Sequence, residues 1–117
     1  IKMIDYIQLE ENFKYYSKDV VIKIIDLYLD SYNERIDTIH KNLRENDLEK
    51  LKFNAHSMKG IIANFMDKDA FVIAGKLEAK ASQAEIDGLE ELFIQFQMVT
   101  TNLLLELTNY KEKLNQQ

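Results

Sequence analysis

His56, Lys59 and Gly60 are the residues of this chain whose types and spacing could do chemistry, within the run Ala55-His56-Ser57-Met58-Lys59-Gly60-Ile61-Ile62-Ala63-Asn64-Phe65. A neutral imidazole has one ring nitrogen free to attack phosphorus. With an ordinary pKa of about 6.5 it is mostly unprotonated at neutral pH, so it can accept a phosphoryl group without a dedicated base. On a helix, Lys59 at i+3 is a neighbour of His56, and its ammonium can lie against phosphoryl oxygens. Gly60 at i+4 removes every side-chain atom from the other flank and leaves room for the phosphoryl group and for a second protein to bring its own acceptor close.

The helix that must present these residues is written into the same run. At about 100° per residue, Leu51, Ala55, Met58, Ile62 and Phe65 form one stripe, while Lys52, His56, Lys59, Gly60 and Ala63 share the opposite side. The imidazole therefore faces water. Gly60 costs roughly 1 kcal/mol relative to alanine in a helix interior and lies away from the apolar stripe, where helix packing does not account for it. Phe53 projects roughly 160° from that stripe, one turn before Ser57. An exposed aromatic beside the acceptor is what a docking surface uses, and Lys52, Phe53 and Ala63 are the expected docking residues. His40 has Leu43 and Arg44 at i+3 and i+4, neither the lysine nor the gap, and no function is assigned to it.

Around this helix the apolar periodicity sets out the remaining elements. Ile4, Ile7, Leu9 and Phe13 suggest a short helix over roughly Leu9 to Tyr16, a lid on one end of the fold. Ser17 is an N-cap, and Val21, Ile24, Ile25, Tyr28, Tyr32, Ile36, Ile39 and Leu43 mark a long helix to about Arg44. Asn46 and Glu49 have the form of a capping box opening the His56 helix, and the short turn at Glu45 to Asp47 makes the two helices antiparallel neighbours. Asp67 caps a further helix with Phe71, Ala74, Leu77 and Ala81 inward, in which Gly75 reads as a close approach to another helix. Asp87 and Glu90 suggest the cap of a last helix carrying Leu89, Leu92, Phe93, Phe96, Val99, Leu103, Leu107 and Tyr110 toward Leu114. The expected fold is all-α: an antiparallel up-down-up-down four-helix bundle with a short additional N-terminal helix, one domain over residues 1–117.

Composition narrows the function. No proline, three glycines and abundant Leu, Ile, Lys and Glu fit an all-helical chain. The net charge of -5 argues against nucleic acid and against a polybasic membrane anchor, and no apolar run reaches the roughly 20 residues that span a bilayer. With no cysteine there is neither disulfide nor thiolate nucleophile. The Glu-x-x-His pairs of di-metal bundles, a serine with a histidine base, and a glycine-rich phosphate loop are all missing, so no metal and no self-phosphorylation with ATP is expected.

The run His56-x-x-Lys59-Gly60 followed by Ala63-Asn64-Phe65, with Ala55 before it, resembles the signature of histidine phosphotransfer (HPt) domains of two-component phosphorelays. The long preceding helix, the short turn and the Leu77-Glu78 helix fall in the family's order. Family members usually carry small residues at the places of Ile61 and Ile62, and often glycine at the place of Met66. The resemblance implies a phosphoryl carrier rather than a stand-alone enzyme. His56 would accept the group from a receiver-domain aspartate, Lys59 would stabilise it, Gly60 would give it access, and Mg²⁺ would belong to the partner. The expected partners are response-regulator receiver domains, within or outside a hybrid sensor histidine kinase, met in the cytoplasm by a monomer without cofactor. Two alternatives stand beside this: the phosphoacceptor domain of a chemotaxis-type histidine kinase, fed by that protein's own ATP-binding domain, and a helical-bundle adaptor without phosphoryl chemistry.

Overall fold

The computed structural model describes residues 1–117. They form α1 (Tyr6–Phe13), α2 (Lys18–Arg44), α3 (Leu48–Ile62), a 3₁₀ turn (Ala63–Phe65), α4 (Lys68–Ser82) and α5 (Leu89–Asn115). Helices α2 to α5 make the four-helix bundle, in which α2 and α4 each border both α3 and α5. That arrangement places α3 and α5 on one diagonal. Short connections enforce the antiparallel order, and the helices enclose a single core.

The inner faces follow the periodicity closely. Val21, Ile25, Tyr28, Tyr32, Ile36, Ile39 and Leu43 are buried along α2, with Ile24 at the margin, and Ser17 caps the helix by accepting from the Val20 N–H. On α3 the whole stripe of Leu51, Ala55, Met58 and Ile62, with Phe65 beyond it, is fully enclosed. On α4 the inward residues are Ala70, Ala74, Leu77 and Ala81. Phe71, expected inside, is instead exposed, because the small side chain of Ala70 takes the inward position of the first turn and turns Phe71 about 100° away.

Helix ends differ from expectation for local reasons. Asn46 does not cap α3. It takes the left-handed conformation (φ 53°) that closes α2, with the Asp47 and Asn46 N–H groups donating to Asn42 and Leu43 carbonyls in a Schellman motif. The cap of α3 is the next residue, Asp47, which accepts from the Lys50 N–H. Ala84 closes α4 in the same way (φ 54°), its N–H donating to Ala81 while that of Glu85 donates to Lys80. Helix α5 starts after Gly88 (φ 80°) with no side-chain cap, so neither Asp87 nor Glu90 serves there. Met66 also has a left-handed backbone (φ 56°), the conformation that a glycine at this place would adopt without cost.

Helix α1 begins three residues earlier than expected, capped by Asp5, and leaves Ile7 in solvent while burying Leu9 and Phe13. Both α2 and α5 have 27 residues against 15 for α3 and α4, so they overhang the shorter pair by about 18 Å. α1 packs at the end where the shorter pair stops. Ile4 bridges Asp67, the Asp5 N–H donates to the Met66 carbonyl, and Asn12 donates to that of Asn64. The buried Glu106 carboxylate on α5 receives the N–H groups of Met3 and Ile4 and the Tyr6 hydroxyl. The lid is thus held by charge-assisted hydrogen bonds as well as by apolar contact.

Candidate functional site

His56 lies at the middle of α3 on the side away from the core, with two thirds (67 %) of its side chain exposed. Its Nδ1 is 2.8 Å from Oε2 of Glu78 on the neighbouring α4. Oε1 of the same carboxylate lies 2.6 Å from the Lys59 ammonium, an ion-pair distance off the hydrogen-bonding direction. One carboxylate therefore joins the histidine and the lysine. The ammonium beside it, and secondly the imidazole N–H, hold the Glu78 carboxyl below its usual range against the opposing effect of burial. An ionised carboxylate can only accept, so Nδ1 carries the proton and the lone pair is left on Nε2.

Packing explains how Glu78 comes to stand there. Helices α3 and α4 are antiparallel about a turn near residue 67, so residues whose numbers sum to about 134 stand level: His56 with Glu78, Lys59 with Gly75. A β-carbon on Gly75 would lie 3.8 Å from Cδ of Lys59, an ordinary contact. Gly75 is therefore not required by the close approach expected of it. The Lys59 ammonium is also 6.0 Å from the centre of the Phe71 ring, so it rests against α4 rather than over the open side of the imidazole.

On the other flank a β-carbon built on Gly60 would meet nothing within 4 Å. No internal packing asks for this glycine. Phe53 is 72 % exposed, and Lys52 and Ala63 are exposed along the same side of α3. The structure thus brings His56, Lys59, Gly60, Lys52, Phe53 and Ala63 onto one open face. His40, by contrast, is half-buried and stacked on Phe93 with ring centres 4.8 Å apart.

Two contributors escaped the sequence reading. Glu78 could have been found by pairing levels across the expected turn, since it flanks the inward Leu77. Arg35 on α2, whose Nη1 donates to the Ser57 hydroxyl (3.1 Å) and whose Nε donates to that of Ser31 (3.0 Å), ties α2 to α3 beside His56. Nothing in local spacing marks Arg35 out.

An antiparallel helical bundle thus presents one imidazole to solvent, with one nitrogen engaged by a neighbouring carboxylate and the other open. The family model described as Hpt domain matches residues 23–114, and the chain belongs to this family, the histidine phosphotransfer domains of phosphorelays. Helix α1 lies outside the matched residues. Comparison with curated proteins and with solved structures found no match. No helix is long and apolar enough to cross a membrane.

Proposed function

We propose that Nε2 of His56 is the phosphoacceptor and that the domain relays the group between receiver domains. In the forward step the Nε2 lone pair attacks the phosphorus of a receiver aspartyl phosphate. The N–P bond forms as the P–O bond to the aspartate breaks, and the carboxylate leaves with the electron pair. The reverse step returns the group to a second receiver, in the cytoplasm where such partners act. Glu78 keeps the proton on Nδ1 and offsets the positive charge that grows on the ring as Nε2 is phosphorylated. Lys59, one turn along, is within reach of the phosphoryl oxygens once it exchanges Glu78 for them. Lys52, Phe53 and Ala63 frame the acceptor as the docking platform, with Gly60 as the gap through which the two active groups meet. The acceptor needs no second copy of the chain to be complete.

The observation that carries this reading is the exposed imidazole held through Nδ1 alone. The test is transfer of radiolabel from a phosphorylated receiver. His56→Gln should fold normally and take up no label, while His40→Gln takes it up fully and Phe53→Ala takes it up more slowly through weaker receiver binding. Label on the His56→Gln chain would overturn the assignment. Parallel incubation with an ATP-loaded chemotaxis-type kinase distinguishes a kinase-fed acceptor domain from a receiver-fed one.

A further inference from the structure

Residues Leu92 to Leu105 contain no charged side chain, a 14-residue stretch in a chain that is 30 % Asp, Glu, Lys and Arg. The stretch lies within α5, whose inward face buries Phe96, Leu103 and Leu107. Its opposite face is apolar too. Ile94, Met98 and Leu105 are 54 %, 68 % and 60 % exposed and lie about 160–200° around the helix from Phe96, with exposed Thr101 between Met98 and Leu105. Together they line a shallow groove flanked by the neutral Gln97 and Asn102. A solvated outer face ordinarily carries charges, and a single helix with apolar stripes on both sides has one stripe without a partner.

We propose that this stripe is a self-association surface, through which two copies of the chain pair α5 against α5, antiparallel, about a twofold axis. The spacing of Ile94, Met98, Thr101 and Leu105 is four, three, four, which reads the same in both directions. In an antiparallel pair centred between Val99 and Thr100, Ile94 meets Leu105 of the other copy and Met98 meets Thr101, as an isologous contact demands. Charge argues for a second copy as the occupant. Each chain carries -5, so two copies meet with least repulsion where charge is absent, and Leu92 to Leu105 is the longest uncharged run in the sequence. In the same register the levels of Glu90 and Glu91 fall on Asn109 and Thr108, not on acids.

Area sets the strength. About three helical turns engaged on each side bury on the order of 1,000 Å² in total, the low end for a specific interface, so the dimer is weak and concentration-dependent. The diagonal placement of α3 and α5 then makes it compatible with phosphoryl transfer: the pair leaves both copies of His56 on the far sides, open to partners. The inference does not depend on the phosphoacceptor reading, and it replaces the expectation of a monomer.

Sedimentation velocity on the whole chain tests it. Between about 10 µM and about 1 mM the wild type should pass from mostly monomer to mostly dimer, and added salt should strengthen association by screening the net repulsion. Met98→Glu should weaken the dimer at least tenfold while helical circular dichroism stays unchanged, since position 98 makes no core contact. Ile94→Glu and Leu105→Lys should each be monomeric alone, and an equimolar mixture of the two should dimerise again, because the twofold register pairs one substitution with the other. A wild type that stays monomeric at about 1 mM, a dimer that survives Met98→Glu, or a mixture that fails to recover overturns the proposal.

Discussion

The chemistry of His56 rests on which of its two nitrogens is occupied. An unencumbered surface histidine shares its proton between tautomers and turns freely, whereas Glu78 holds Nδ1 at 2.8 Å and fixes both tautomer and ring orientation. Because the lowered Glu78 pKa keeps its carboxylate ionised throughout the neutral range, this control persists across that range. Glu78 is thus a positioning residue, acting through the imidazole. In Glu78→Ala, nitrogen NMR near pH 8 should show the proton moving from Nδ1 toward Nε2, and transfer should slow about tenfold, the equivalent of one charge-assisted hydrogen bond of roughly 1.4 kcal/mol. A tautomer ratio unchanged by the substitution would exclude this role.

Among the elements, α3 carries a cost that its own packing does not return. Gly60 weakens a helix interior, yet a β-carbon there would touch nothing. Gly60→Ala should therefore stabilise the domain by about 0.5–1 kcal/mol, raising the melting temperature by a few degrees. With Gly60 in its proposed role as the access gap, the same substitution should slow transfer from the receiver, and Gly60→Leu should slow it further. Equal transfer rates in the wild type and Gly60→Leu would refute the steric account. The α3–α4 pair shows the complementary case: the alanines on the inner face of α4 let the two helices approach closely enough for Glu78 to reach across.

For the whole molecule, Asp67, buried where the N-terminal segment meets the start of α4, makes folding depend on pH. Asp67 caps α4 through the Ala70 N–H, but its second oxygen is buried without a partner, and burial pushes its pKa up from 3.8. The folded state thus holds this proton more tightly than the unfolded chain. The penalty is absent below about pH 3.8, grows as the pH rises toward the folded value, and is complete above it. Asp67→Asn keeps the cap and removes the buried charge, so near pH 7 it should stabilise the protein by about 1–2 kcal/mol. Melting curves of both proteins should converge as the pH is lowered below about 4. A stability difference that does not depend on pH would show that the charge is not the cause.

Periodicity and residue type were enough to place the helices of the bundle, to turn His56, Lys59 and Gly60 outward, and to enclose the stripe from Leu51 to Phe65, because a side chain's direction on a helix follows from local geometry alone. They were less reliable at helix ends. There Asn46 and Asp47 compete for one cap, and the left-handed turn that closes α2 settles which of them opens α3. They also misplaced Phe71, since its size suggested the core while the level of α4 against α3 gave the inward place to Ala70. Glu78 and Arg35 became visible as partners of the site only when separate helices were set side by side. Which nitrogen of His56 is free, and where the Lys59 ammonium rests, depend on contacts between residues far apart in the chain, and spacing along one helix carries no information about the neighbour that faces it.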